Sequence, residues 1–351
     1  MKRFKGIVLA ALAVLVATAY LPTLPASAQE AKSAALGIAP KKNYLLEPGE
    51  SIKDTLSIRN VDTSSDLQLN LRVIDFTYTD DTGTPKLMLD QDAEPTTWSL
   101  RSYMDVPERV TIKAGETASP EMNVKMPANI GAGSYYSAII YSTGAPDGGN
   151  VGLSASGVTL VFVTVPGKVN EDLKITKLGA YNPNKTKGDG YMYIASSLQP
   201  RYIGYTLENK GNVTEAPVGT IKLKNRFFGM EYNIADINPT KSLALIGQTR
   251  TIAACIKLDN SESASNSAGR CTDSGIWPGL YTVSIDAFYG QNGNLTKELT
   301  KTSHFWYLPL WFIVLVIVLI LAIVLGIWRL RIAMRERTKK PRGRKSSMMR
   351  R

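Results

Sequence analysis

The 351-residue sequence holds one histidine, His304, and two cysteines, Cys255 and Cys271. A single imidazole, set beside a long apolar run, cannot build an extracellular Ser-His-Asp or Cys-His nucleophile set. Two thiols and that histidine also fall short of a zinc ligand set. The glycine-rich residues 144–152 lack the strand-to-helix context of a phosphate loop. Acidic residues are plentiful, so a glycosidase-type carboxylate pair stays open on composition alone. Yet Asp80-Asp81 and Asp90 with Asp92 adjoin turns, where aspartate serves the backbone. The expectation is a protein that is not an enzyme, with no catalytic, cofactor-binding or metal-ligating residues. Also missing is a sustained helical apolar period anywhere in residues 37–302, which excludes an α fold for that region. No Leu-Pro-x-Thr-Gly precedes the C-terminal apolar run, so transfer to a cell wall by sortase is not expected.

What the chain does have is strongest at its ends. Lys2, Arg3 and Lys5 precede an apolar stretch at 7–21, and Ala26-Ser27-Ala28 supplies a small-x-small site. This is a secretory signal pattern, with cleavage expected after Ala28. Residues 308–327 carry no charge, and twenty helical residues rise about 30 Å, the thickness of a bilayer core. Trp306, Tyr307 and Trp311 stand at one end and Trp328 at the other, as expected of membrane-interface anchors. A buried core helix would show a polar stripe, and this run shows none. Beyond it Arg329, Arg331, Arg335, Arg337, Lys339 and Lys340 begin a basic tail. Positive charge beside a span marks the cytoplasmic side. The expected topology is single-pass in the cell membrane, N-terminus extracellular and C-terminus cytoplasmic.

The formal net charge of +11 does not point to nucleic acid. Eleven basic residues from Arg329 onward, opposed only by Glu336, supply +10, and the first five residues supply +3. Residues 29–328 therefore sum to −2. The basic tail suits anionic lipid, at about 1 kcal/mol per charge near the surface.

Between the ends, short strands alternate with turns. Leu67, Leu69, Leu71 and Val73 interleave with Gln68, Asn70 and Arg72, a half-buried strand. Residues 158–165 are almost continuously apolar and β-branched, as a central core strand would be. Cys255 and Cys271 flank a small polar stretch and are expected to form an extracellular disulfide. Asn-x-Thr occurs at Asn184, Asn212 and Asn294 and matters only where N-glycosylation operates. Three short patterns repeat in order: 56–60 as 205–209, 115–117 as 247–249, and 132–135 as 278–281. The expectation is an all-β protein with two tandem Ig-like sandwiches at 36–166 and 173–304. A signal peptide at 1–28, a transmembrane helix at 306–328 and a basic tail at 329–351 complete it. Tyr44, Trp98, Tyr103, Tyr135, Tyr136 and Trp277 are candidate surface aromatics, although aromatics are more often core.

Several of these segments resemble the peptidoglycan-binding domain of WxL-interacting proteins, which are Gram-positive surface proteins. They are Asn43-Tyr44-Leu45-Leu46-Glu47-Pro48-Gly49, Val106-Pro107-Glu108-Arg109-Val110, Val124-Lys125-Met126-Pro127, and Gly133-Ser134-Tyr135-Tyr136 through Tyr141. The plan of signal, two Ig-like domains, one span and basic tail is similar too. The chain departs from that family at Ser137-Ala138, where Gly-Gly is frequent, and in its cysteine pair. The resemblance implies a non-catalytic surface binding or adhesion protein that engages cell-wall glycan (peptidoglycan) or surface proteins. The alternative is an accessory structural subunit of a membrane or envelope complex.

Overall fold

A computed structural model describes residues 36–90, 94–143, 155–184, 188–196, 199–258, 271–290 and 295–339. The expected signal segment, the glycine-rich run at 144–152, Asn294 and everything from Lys340 onward lie outside those residues. The fold is all-β: two Ig-like sandwiches followed by one C-terminal helix.

In the first sandwich a five-stranded sheet runs in the order Lys41–Leu45, Ala155–Val165, Gly133–Ser142, Leu67–Ile74 and Arg109–Ile112. Only the first pairing is parallel. Two three-stranded sheets supply its other layer, one built on Ile58–Asn60 and one on Glu121–Lys125. The alternation in Leu67–Ile74 places Leu69 and Leu71 in the core between the layers, with Ile58, Met122, Val124, Ile139, Val161 and Val163. The second sandwich joins a four-stranded sheet, with Leu173–Tyr181 and Tyr202–Asn209 at its centre, to a five-stranded sheet centred on Gly279–Tyr289. Tyr205, Ile221, Leu223, Tyr281, Val283 and Phe305 fill its core.

Ala155–Val165 is apolar on successive residues because both its faces are covered. Val161, Val163 and Val165 enter the first core. Phe162, with Val158 and Leu160, faces a second cluster built of Ile74, Phe76, Tyr136, Ala138 and Ile140. That cluster is closed by Leu245 of the second sandwich, with Leu243 and Ile246 packed alongside. The outer face of the first sheet is thus the seat of the second sandwich.

Polar contacts reinforce this junction. The Tyr78 hydroxyl donates to the Leu243 carbonyl at 3.0 Å. The Tyr78 N–H donates to Gln248 Oε1, also at 3.0 Å, and the Arg250 guanidinium lies 4.8 Å over the Tyr78 ring. Thr251 donates to Asp81 through both its N–H and its hydroxyl. The Asp80-Asp81 turn therefore clasps Thr249–Cys255, the edge strand of the four-stranded sheet. At the linker the Asn212 amide donates to the Ala132 carbonyl at 3.0 Å, and its oxygen accepts from the Asn170 N–H at 2.8 Å. Asn212 is thereby a junction residue.

The internal repeat has a structural basis. Asn60 and Asn209 are both buried. Each donates from its amide to backbone carbonyls and accepts the N–H two residues on. The backbone N–H of each donates to the residue after a left-handed glycine, Glu116 after Gly115 and Gln248 after Gly247. Those glycines have φ +73 and +68, where a Cβ would be strained. Tyr135 and Tyr281 each donate their hydroxyl to the carbonyl four residues earlier, at 3.0 and 2.8 Å.

The junction with the helix differs from the sequence reading of a second domain ending at 304 and a span at 306–328. The last strand, Lys297–Tyr307, takes in Trp306 and Tyr307, and the helix runs Leu310–Lys339. Apolarity alone puts Trp306 and Tyr307 with the helix. The strand alternation that buries Phe305 and Tyr307 keeps both residues in the sheet.

Candidate membrane foot and exposed aromatic rim

Helix Leu310–Lys339 is long and apolar enough over Leu310–Arg335 to cross a membrane, and none of that stretch is buried against the sandwiches. Trp311 and Trp328 are both exposed on it. They are 17 residues apart, about 26 Å along the axis at 1.5 Å per residue. Arg329, Arg331, Arg335, Arg337 and Lys339 follow on the same helix, and Lys340 lies outside the described residues. Pro309 breaks the chain between strand and helix, and its carbonyl accepts from the N–H groups of Phe312 and Ile313. The Leu308 N–H donates to the Ala195 carbonyl at 2.8 Å. The connector is therefore two residues long and tied to the sandwich.

Tyr307 is a core residue of the second sandwich, paired in register with Gly279. Its ring is committed to protein packing. Trp306 is half-exposed, and its ring centroid lies 5.9 Å from that of Phe227.

Of the six candidate surface aromatics, Tyr136 is fully buried and Trp98 stacks on it at 5.8 Å in the inter-sandwich cluster. Tyr103 and Tyr135 pack against the first core. Tyr44 donates its hydroxyl to Asp54, which also accepts from Lys42. The Lys42 hydrogen bond first, and the Tyr44 one second, hold the Asp54 carboxyl down to about 2. Only Trp277 is exposed, at 56%. Its neighbours are aromatics that sequence reading passed over. Phe227 and Phe228 are 62% and 57% exposed at the turn after strand Val218–Asn225. Phe228 sits 6.3 Å from Trp277. The signal was two adjacent phenylalanines in front of Gly229, a turn with apolar residues where polar ones are usual.

The cysteines form a disulfide, Cys255–Cys271, with Cα atoms 5.3 Å apart. It ties the end of edge strand Thr249–Cys255 to a bridge pairing Leu258 with Cys271. Tyr202, Tyr181 and Cys255 align in register, at the end of their sheet where Leu173–Tyr181 finishes rather than at the linker end.

Two aspartates in the first sandwich serve the fold. Asp75 is buried and accepts hydroxyl hydrogen bonds from Ser99 at 2.6 Å and Ser137 at 2.9 Å. Ser137 thus has a structural task. Asp80 closes its own turn by accepting from Thr82. No group of three or more metal-ligating side chains occurs among the described residues.

One carboxyl is under electrostatic stress. Glu215, 3% exposed, lies beside the inter-sandwich seat, with its backbone paired to Ala244. Burial first, then the Glu171 charge, push its carboxyl up to about 7. A folded-state value raised above the unfolded one gives stability that is present below about pH 4.5 and lost as pH rises to about 7. Wild-type stability should therefore fall over that interval, by on the order of 2 kcal/mol from this group. Glu215→Gln should abolish this part of the slope and be the more stable form at pH 8. Urea midpoints of both proteins from pH 5 to 8 measure it; parallel curves would show that Glu215 is already ionised when folded.

No protein-family model matches the sequence, and no curated protein does. Among solved structures, the chain is similar to one from a chaperone–tip adhesin complex of CFA/I fimbriae biogenesis. That match has 12% identity over 77% of this chain and 99% of the other, with a TM-score of 0.36. The class 5 fimbriae chaperone CfaA matches at 12% identity over 76% of this chain and 98% of its own, with a TM-score of 0.35. The E. coli chaperone DraB matches at 12% identity over 76% and 96%, with a TM-score of 0.33.

Proposed function

We propose that the protein is a non-catalytic, single-pass cell-surface binding protein. The signal segment exports the two sandwiches, the apolar helix stays in the membrane, and the basic residues from Arg329 onward remain on the cytoplasmic side. The observation that carries this reading is the direct continuation of the last strand, Lys297–Tyr307, into an unburied apolar helix two residues later. None of the apolar window of that helix is buried among the described residues, and lipid is the solvent that satisfies such a surface. The two sandwiches, seated on each other through Leu245 and Tyr78, are then held as one body at a fixed short distance from the bilayer.

For the ligand, the segments resembling WxL-interacting proteins support peptidoglycan or a surface protein, engaged through the first sandwich. Incubating the purified ectodomain with peptidoglycan sacculi at physiological salt tests this. Retention that is lost with the first sandwich deleted is expected for glycan binding. Ectodomain left wholly in the supernatant would rule out the glycan and leave a protein partner.

A further inference from the structure

We propose that the exposed aromatic rim of the second sandwich docks on the outer leaflet of the bilayer and seats the ectodomain in its headgroup layer. Phe227, Phe228, Trp277 and Trp306 form the rim, flanked by Tyr193 and Ile194. The proposal rests on the membrane-spanning reading of helix Leu310–Lys339 and adds a second contact with the same membrane.

The rim lies at the end of the sandwich from which the helix departs. Gly279 pairs with Tyr307, the last residue of the last strand. A Cβ on Gly279 would come 3.0 Å from Phe227 Cδ2, so the Phe227 ring lies against that pair. Trp306 packs on Phe227, and Ile194 pairs with Trp306 in register. The Trp306 N–H donates to the Tyr193 carbonyl at 2.8 Å. Trp277 holds the Tyr281 hydroxyl on its carbonyl and meets Phe228 ring to ring. These residues share one level, the level of Tyr307.

That level is fixed relative to lipid by the connector. Leu308 and Pro309 can reach about 3.5 Å each, so Leu310 begins within about 10 Å of Tyr307. The polar layer between hydrocarbon and water is only about 6 Å deep on each side. The rim therefore stands inside that layer or within about 4 Å of its water side, beside the level where aromatic rings are most favourable. Tyr193 and Ile194 are 75% and 62% exposed, large apolar surfaces that would face water if the sandwich stood clear of the membrane. Among the described residues, every exposed tryptophan is either on this rim or on the helix. Arg226, exposed next to Phe227, carries the cation that suits a lipid phosphate.

The test uses the full chain in nanodiscs of phosphatidylcholine, with and without bromine on the acyl chains near the headgroup. Emission of wild type minus that of Trp277→Phe isolates Trp277, and Trp328→Phe isolates the far end of the span in the same way. Trp277 is exposed, so its replacement leaves the core intact. The proposal expects brominated lipid to cut the Trp277 emission by about twofold or more, since the ring lies among the lipids. Quenching of Trp328 with Trp277 unchanged would overturn the proposal while leaving the span in place. Both unchanged would overturn the spanning reading and the proposal with it. A rim made for a second protein copy would give the first of these overturning results, together with concentration-dependent dimers of the ectodomain.

Discussion

Replacing Leu245 by aspartate should split the unfolding of the ectodomain into two transitions and destabilise it by about 3–5 kcal/mol. Leu245 is fully buried, and its partners Phe76, Tyr136 and Phe162 belong to the other sandwich. Removing a buried leucine costs about 2–5 kcal/mol by itself. A carboxylate in that aromatic cluster adds a desolvation penalty. The wild-type junction is apolar at its centre, with Tyr78 and Asp81 bonded at its side, so the two sandwiches should melt together. Scanning calorimetry of the two proteins measures the difference. Tyr78→Phe is the control: it removes one hydrogen bond, costs about 1 kcal/mol and leaves a single transition. Two separated transitions in the wild type would mean that the sandwiches are independent beads and that the seat is not stabilising.

Reduction of the Cys255–Cys271 bridge, or its replacement by serines, should lower stability by about 3 kcal/mol, the chain-entropy value for a loop of this size. The loss should fall on the second sandwich, where the bridge fastens the end of edge strand Thr249–Cys255. An edge strand has a neighbour on one side only, so its free end depends on such a staple. Because the Asp81 turn clasps the same strand at Thr251, loosening that strand should also weaken the junction. Urea midpoints with and without reductant measure the loss. An unchanged midpoint would mean that the register with Tyr202–Asn209 holds the strand alone.

Much of this architecture was legible in the sequence, for physical reasons that differ by element. Leu67–Ile74 showed itself because one of its faces meets the core, and period-two alternation follows from that. Ala155–Val165 read as a central strand because both its faces are covered, but the nature of the second cover was hidden. Leu243, Leu245 and Ile246 lie in a segment without strand periodicity, so nothing local marks them as the lid of another domain's sheet. The repeated Asn and Gly pairs were visible as spelling. Their task, a buried amide bonding to backbone beside a left-handed glycine, needed coordinates. Hydropathy groups Trp306 and Tyr307 with the helix because it carries no information on where a strand stops. Phe227 and Phe228 do not stand out in the sequence because an apolar turn resembles a core fragment until its exposure is known. His304 precedes the apolar run in sequence, and it stands in the last strand opposite Thr282.

Ser137 also links the two domains. Ser137 donates its hydroxyl to buried Asp75 and accepts from the Leu100 N–H at 2.9 Å. Asp75 in turn accepts from the Thr96 N–H at 3.2 Å. The serine thus fastens the segment that carries Trp98 into the inter-sandwich cluster. A buried hydroxyl is tied in this way to the joining of two domains.

The central claim, an exported two-sandwich body on a single span, is tested most directly by protease protection. Intact cells expressing the full chain with a C-terminal epitope would be treated with external protease. The expected result is digestion of the sandwiches with a small epitope-bearing fragment, containing the helix and basic tail, protected until the membrane is permeabilised. Loss of the epitope from intact cells, or full protection of the sandwiches, would contradict the claim.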